Sequence, residues 1–307
     1  MLKLHLDTDL GGDIDDLCAL AMVLNLPGVE LLAVTTVGDD GGRRAGYARY
    51  ALDLAGREDV AVAAGADVSL GCYRSRLGLP NEAAYWPQPI PPLQTPLEQA
   101  LSLLERSVEH GAVVAAIGPF TNLVLLERRS PGILSRARLC LMGGYVFPPR
   151  EGFPPWGSDM DWNVQVDVQS AYEVMHCSTP TLVPLSVTVE TSLRRAYLPR
   201  LRQAGPLARL IARQAEAFAR DEQIEARYGL TCPGLPGDTI NFQHDPLACA
   251  IALGWREGVE IREIPLRTEI EDRWLWQRVD DGGKPTPVVT RVDGVRFSEF
   301  WLDMVAR

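Results

Sequence analysis

The sequence predicts an α/β fold: a single domain with a mostly parallel central sheet flanked by helices, a Rossmann-like open sheet. Three observations predict it. In the first half, short and almost continuously apolar segments alternate with segments of helical periodicity, the pattern of strands buried on both faces and their crossover helices. The residues with chemical potential fall directly after those apolar segments, beginning with an acidic cluster at the first junction. No linker, internal repeat or low-complexity tract divides the 307 residues, so residues 1–307 read as one domain.

The elements follow in order. Leu2–Thr8 reads as the first strand and Ile14–Leu26 as the helix after it. Val29–Val37 is the second strand, Arg43–Ala55 the second helix, and Val60–Ala64 a third strand. Leu97–His110 has helical periodicity and Ala112–Ile117 is a nearly pure apolar strand. Thr121–Leu126 opens another helix, and Ala137–Met142 is another strand. The second half reads as more helical, with Pro206–Arg220 and Asn241–Leu253. It closes with a strand pair around Val259–Arg267 and Val288–Val292 and a helix over Ser298–Ala306. Ser69–Pro96 and Phe147–Trp162 are rich in Pro, Gly and aromatics and lack periodicity; loops of such length are usually functional or disordered. Right-handed crossovers bring the carboxyl ends of parallel strands to one edge, where open sheets bind ligands. Four segments sit there: the loop after Thr8, Gly38-Asp39-Asp40, Gly118-Pro119 and Gly143-Gly144.

Forty acids against thirty bases give a formal charge of −10, which argues against nucleic acid or an anionic membrane as the partner and leaves a small neutral substrate open. No stretch reaches bilayer-spanning length, and the N-terminus lacks the features of a secretory leader, so a cytoplasmic location is expected. The six cysteines (Cys18, Cys72, Cys140, Cys177, Cys232 and Cys249) are scattered and form no C-x-x-C pair. They read as free thiols of a reducing compartment rather than as a zinc site.

The loop after the first strand holds Asp7, Asp9, Asp13, Asp15 and Asp16. Carboxylates this close repel and raise one another's pKa, and a divalent cation resolves the conflict. All-oxygen ligands suit Ca²⁺, with Mg²⁺ less suited to so irregular a cage. Gly11-Gly12 lets the backbone fold around an ion. Helix capping would account for Asp13, Asp15 and Asp16 but not for Asp7 and Asp9 as well.

Two chemistries compete for the loop. A strand followed by Asp-x-Asp resembles the haloacid-dehalogenase-like phosphatases, but that motif expects Thr or Val where Gly11 stands and leaves Asp15 and Asp16 idle. The fuller resemblance is to the inosine–uridine-preferring nucleoside hydrolase family, with its Asp-x-Asp-x-Gly-x-Asp-Asp loop. Later segments match in order: Gly118-Pro119-Phe120-Thr121-Asn122, Leu141-Met142-Gly143-Gly144, Asp161-Trp162-Asn163 followed by Asp167, and His244-Asp245-Pro246.

That resemblance implies a nucleoside substrate, a bound Ca²⁺, a homodimer or homotetramer, and a place in nucleoside salvage. It implies that Asp9 ligates the metal and is the base that activates water, with Asp16, Asp245 and the main-chain carbonyl of Ile117 as the other ligands. Asp15, Asn163 and Asp161 would hold the sugar, Met142 would line its pocket, and Asp39 stands where the family carries an Asn near the substrate. The sequence departs from the pattern in four places. The loop has two extra residues between Asp9 and Asp15. Asp39 replaces Asn. Ser69–Pro96 contains no His, and no Asn matches near Pro155.

The implied chemistry is hydrolysis of an N-glycosidic bond through an oxocarbenium-like state, with cation-oriented water and a carboxylate base. Of the four histidines, His5, His110 and His176 have structural explanations. His244, beside Asp245, is the candidate for the acid that assists the departing base. The alternatives are phosphate-ester hydrolysis and a non-catalytic nucleoside- or ribose-binding protein of the same fold.

Overall fold

The computed structural model describes residues 1–39, 41–71 and 82–307. Its strands are β1 (Leu2–Thr8), β2 (Val29–Thr36), β3 (Ala61–Ala64), β4 (Val113–Ala116), β5 (Arg138–Met142), β6 (Thr181–Val183), β7 (Leu193–Arg194), β8 (Thr239–Asn241), β9 (Glu260–Glu271), β10 (Trp274–Val279) and β11 (Lys284–Arg291). Among the described residues one large sheet runs in the order β10-β9-β11-β6-β5-β4-β1-β2-β3, and β7 pairs with β8 apart from it. From β3 to β6 every neighbour is parallel, β11 joins β6 in parallel, and β9 and β10 add an antiparallel edge. The expected mostly parallel α/β sheet is therefore the fold.

Alternation along β1 shows how the two faces are made. Leu4 and Leu6 are fully buried in the larger apolar cluster, with the helices Asp15–Asn25, Pro206–Glu222, His244–Ala252 and Gly294–Val305 over that face. His5 and Asp7, also fully buried, point the other way, toward Leu97–Glu109 and Thr121–Arg129. The opposite-face residues Val114, Ala116, Leu139 and Leu141 pack with Leu101, Leu104 and Val174 in a second cluster.

The chain order reverses at β1, which lies between β2 and β4. The crevice outside the carboxyl ends of β1 and β4 is the topological switch point, where sheets of this class bind ligands. The Asp-rich loop leaves β1 there, and Ile117 and Gly118 leave β4 beside it.

The differences from the sequence reading lie mostly in the second half. It is rich in helix as expected, but β9, β11 and the unanticipated β10 add a long antiparallel extension to the sheet. β10 reads Trp-Leu-Trp-Gln-Arg-Val and was hidden because only one of its faces packs, leaving a weak alternation. β6, the short Thr-Leu-Val after the helix Val168–Cys177, went unread for its length. The expected helix over Asn241–Leu253 starts later, at His244, because Thr239–Asn241 extends to pair with β7.

Candidate active site

Asp15 and Asp16 form the first turn of the helix Asp15–Asn25, and Asp245 lies in the first turn of the helix His244–Ala252. The two helices pack against each other with their amino ends at the switch point, where each macrodipole favours negative charge. Carboxylate oxygens of Asp15, Asp16 and Asp245 come within 4.8 Å of one another. The three residues are buried, with 3–4% of their surface exposed. The Asp245 N–H donates to Asp15 Oδ2 at 3.2 Å, and the Thr8 hydroxyl donates to Asp16 Oδ1. Burial drives all three carboxyls well above the ordinary range, and each neighbouring acid pushes further.

Asp9 borders this group. Burial raises its carboxyl, the Arg44 guanidinium opposes that rise, and Asp9 is the strongest like-charge neighbour of Asp16. The β4 loop presses against it: a Cβ on Gly118 would lie 2.9 Å from Asp9 Oδ1 and 2.8 Å from its main-chain nitrogen. Glycine at 118 is thus what lets the loop after β4 pack directly against Asp9. Asn163 Nδ2 bridges Ile117 O at 3.0 Å and Met142 O at 3.1 Å, with Met142 Sδ at 3.2 Å. Asp9, Ile117, Met142 and Asn163 are therefore one contiguous wall.

Two of the expected sugar contacts are engaged within the protein. Asp39 is fully buried. Its Oδ1 accepts from Arg44 N at 2.9 Å, and its Oδ2 accepts from Ala45 N at 3.0 Å and from the Thr36 hydroxyl at 2.6 Å. It ties the start of the helix Arg43–Leu54 to the end of β2. Asp161 accepts from Gly144 N at 2.6 Å and from Val164 N at 3.3 Å, so it caps the short helix Trp162–Gln165 and fixes the Gly143-Gly144 turn.

Asp7 lies beneath the site. Thr35 and Asn122 donate to its Oδ1 at 2.6 and 2.7 Å, while Oδ2 is buried without a partner. Burial lifts its carboxyl to about 7. His5, with partners Ser107 and Thr35, is pushed down to about 3 by burial and is a neutral structural residue. His110 and His176 bond to main-chain carbonyls one helical turn back, as a structural reading expects.

His244 Nδ1 lies 2.6 Å from the Thr188 hydroxyl, whose other acceptor, Leu185 O, is farther at 3.2 Å. Phe242 at 5.4 Å and Trp156 at 6.2 Å between ring centroids flank the imidazole, and Tyr228 meets Trp156 edge-on at 5.2 Å. Burial depresses His244 to about 3, so the ring is neutral at physiological pH.

The sequence reading missed several participants. Arg44 gives no motif signal, because its partners are main-chain carbonyls. Thr188 and Trp156 could be found only through contacts to His244. In the sequence Asp13 is one acid among five; in the structure it accepts from Asn241 Nδ2 at 2.6 Å and so ties the Asp-rich loop to β8. Asp40 and Cys72 lie outside the described residues, as does much of the His-free segment Ser69–Pro96; the other five cysteines are free thiols.

Comparisons with known proteins show the family and the fold. The family model described as inosine-uridine preferring nucleoside hydrolase matches residues 4–299. A non-specific ribonucleoside hydrolase of Klebsiella pneumoniae is 31% identical over 219 residues, covering 67% of this chain and 69% of that protein. A uridine nucleosidase of Arabidopsis thaliana is 28% identical over 62% of this chain and 58% of that one. Among solved structures, a purine-preferring ribonucleoside hydrolase from Gardnerella vaginalis superimposes with a TM-score of 0.78 at 21% identity, covering 99% of this chain and 98% of that one. A plant nucleoside hydrolase gives 0.76 at 19% identity, covering 99% of both chains.

Proposed function

The chain belongs to the inosine-uridine preferring nucleoside hydrolase family, enzymes of N-glycosyl bond hydrolysis, and from that premise we propose that it cleaves ribonucleosides to ribose and free base with Asp9 as the base toward water. The observation that carries the reading is the buried meeting of Asp15, Asp16 and Asp245 at the switch point, with Asp9 against the loop that leaves β4. Three buried carboxyls that raise one another's pKa, with no cation bonded to their oxygens among the described residues, are a donor set suited to a hard divalent ion.

Asp9, Asp16, Asp245 and the Ile117 carbonyl would hold Ca²⁺, by the family resemblance and by the oxygen-only chemistry of the set. When bound, the ion supplies the positive charge that keeps these acids ionised and makes a nearby water more acidic. Asp15 spends Oδ2 on the Asp245 N–H and has Oδ1 to offer a ribose hydroxyl. Asn163, fixed by Ile117 O and Met142 O, has its carbonyl oxygen for the sugar. Asp9, whose carboxyl is raised by burial, takes the proton from the attacking water. Asp39 and Asp161 act one layer below, holding the loops that carry these groups.

His244 faces the departing base. The shorter Thr188 contact directs that hydroxyl's proton to Nδ1, which leaves the imidazole N–H on Nε2 to hydrogen-bond the departing base and offset the negative charge it develops. Trp156, Phe242 and Tyr228 give an aromatic surround suited to a flat heterocycle. A role in cytoplasmic nucleoside salvage and assembly as a homodimer or homotetramer are part of this proposal, on the family resemblance. The test is to incubate the purified protein with calcium and a panel of purine and pyrimidine ribonucleosides and to measure reducing sugar. Ribose release from at least one is expected; none from any would overturn the proposal.

A further inference from the structure

Arg44 has only 1% of its surface exposed, yet among the described residues no carboxylate forms an ion pair with it. Its Nη1 donates to the main-chain carbonyls of Asp9 and Leu10, the latter at 3.2 Å, and its Nε donates to Gly38 O at 2.9 Å. Nη2 is buried and has no protein partner. A guanidinium held by carbonyls alone is an expensive thing to bury, because dipoles replace its hydration only in part. The place of the guanidinium supplies the missing compensation. Nη1 is bonded to the Asp9 peptide itself, and a Cβ on Gly12 would lie 3.8 Å from it, so the positive charge sits inside the turn of the Asp-rich loop. With Asp9, Asp15, Asp16 and Asp245 ionised, the site carries four negative charges; a divalent ion cancels two, and a cation built into the same loop offsets part of the rest.

We propose that Arg44 is a resident counter-cation of the site, a positioning residue that holds the Asp9 peptide and stabilises the acids when no divalent ion is bound, and that its charge keeps ion affinity below what the carboxylates alone would give. The inference rests on the reading that these acids hold a divalent cation. It makes Arg44 and the ion partial substitutes: removing one raises the protein's dependence on the other.

The experiment compares full-length wild type, Arg44→Gln and Arg44→Lys by thermal melting in EDTA and in calcium chloride, and by calorimetric calcium titration. Arg44→Gln should melt well below wild type in EDTA, recover most of the difference in calcium, and bind calcium roughly tenfold more tightly, as loss of a nearby like charge requires. Arg44→Lys keeps the charge and loses the fork, so its calcium affinity should stay close to wild type. A glutamine variant that folds only in calcium supports the proposal. Failure to fold in both conditions overturns it, because a filled site should not need the cation. Equal losses in both variants with unchanged calcium affinity also overturn it and leave Arg44 as a mere clasp. A wild-type protein without calcium-dependent stabilisation would instead defeat the metal reading itself.

Discussion

Asp15 and Asp245 stand 230 positions apart, yet the main-chain N–H of Asp245 donates to Asp15 Oδ2 at 3.2 Å. That bond joins the first turns of two packed helices and places both carboxylates with Asp16. Each acid is favoured by its own helix dipole and disfavoured by its neighbours, so the group stays fully ionised in the folded protein only with compensating positive charge. Asp16→Ala and Asp245→Ala should each lose bound calcium, measured by elemental analysis after dialysis. Ribose release should fall by at least roughly 10³-fold, as loss of a preorganised electrostatic group does. Both variants should stay folded, since each removes a buried acid rather than an apolar contact.

The Thr188–His244 pair makes a prediction about the leaving group. His244→Ala should slow natural nucleosides by about 10²–10⁴. It should leave p-nitrophenyl riboside, whose leaving group is stable as an anion, nearly untouched. Thr188→Val removes the hydroxyl that fixes the imidazole tautomer and should move rates the same way by a smaller factor. Steady-state kinetics on both substrates check this; equal losses on the two would assign His244 to sugar positioning or to structure.

Asp39 tests the division between structure and substrate. Its carboxylate accepts three hydrogen bonds from the protein. Asp39→Asn keeps the shape but faces the Arg44 and Ala45 amides with one acceptor, and should cost about 1–2 kcal/mol of stability. KM should change little. A large rise in KM with an unaltered melting temperature would return Asp39 to the sugar.

The raised carboxyls set the sign of a pH effect. In the calcium-free protein Asp15, Asp16 and Asp245 hold protons more tightly folded than unfolded. That contribution is present at low pH and lost as pH rises through the folded values. Asp7, lifted to about 7, acts in the same direction. His5 and His244, depressed to about 3, act oppositely, but only below the unfolded histidine value of 6.5. Above the unfolded histidine value of 6.5, therefore, the calcium-free melting temperature should fall as pH rises, and the increment given by calcium should grow. An increment that stays constant as pH rises above 6.5 would contradict the account.

The sequence made the architecture legible where strands are buried on both faces. β1, β2, β4 and β5 announce themselves as apolar runs, and the acids that follow β1 stand out because helix capping cannot use them all. β10 and β6 were not legible, one half-packed and the other too short to show a period. Within the site, acids and motifs were visible but their partners were not. Asp39 reads the same whether it caps a helix or holds a sugar, and only its contacts with Arg44 N, Ala45 N and Thr36 distinguish the two. Arg44 was invisible because its partners are carbonyls, which every residue carries.

The central claim is that metal-assisted hydrolysis of a ribonucleoside occurs at the acids of the β1 loop and Asp245. The most direct measurement is ribose release from a cleaved nucleoside by chelator-treated protein as calcium is added back. The account predicts negligible release without calcium and recovery that saturates near one ion per chain. Undiminished release from the fully chelated protein would contradict it.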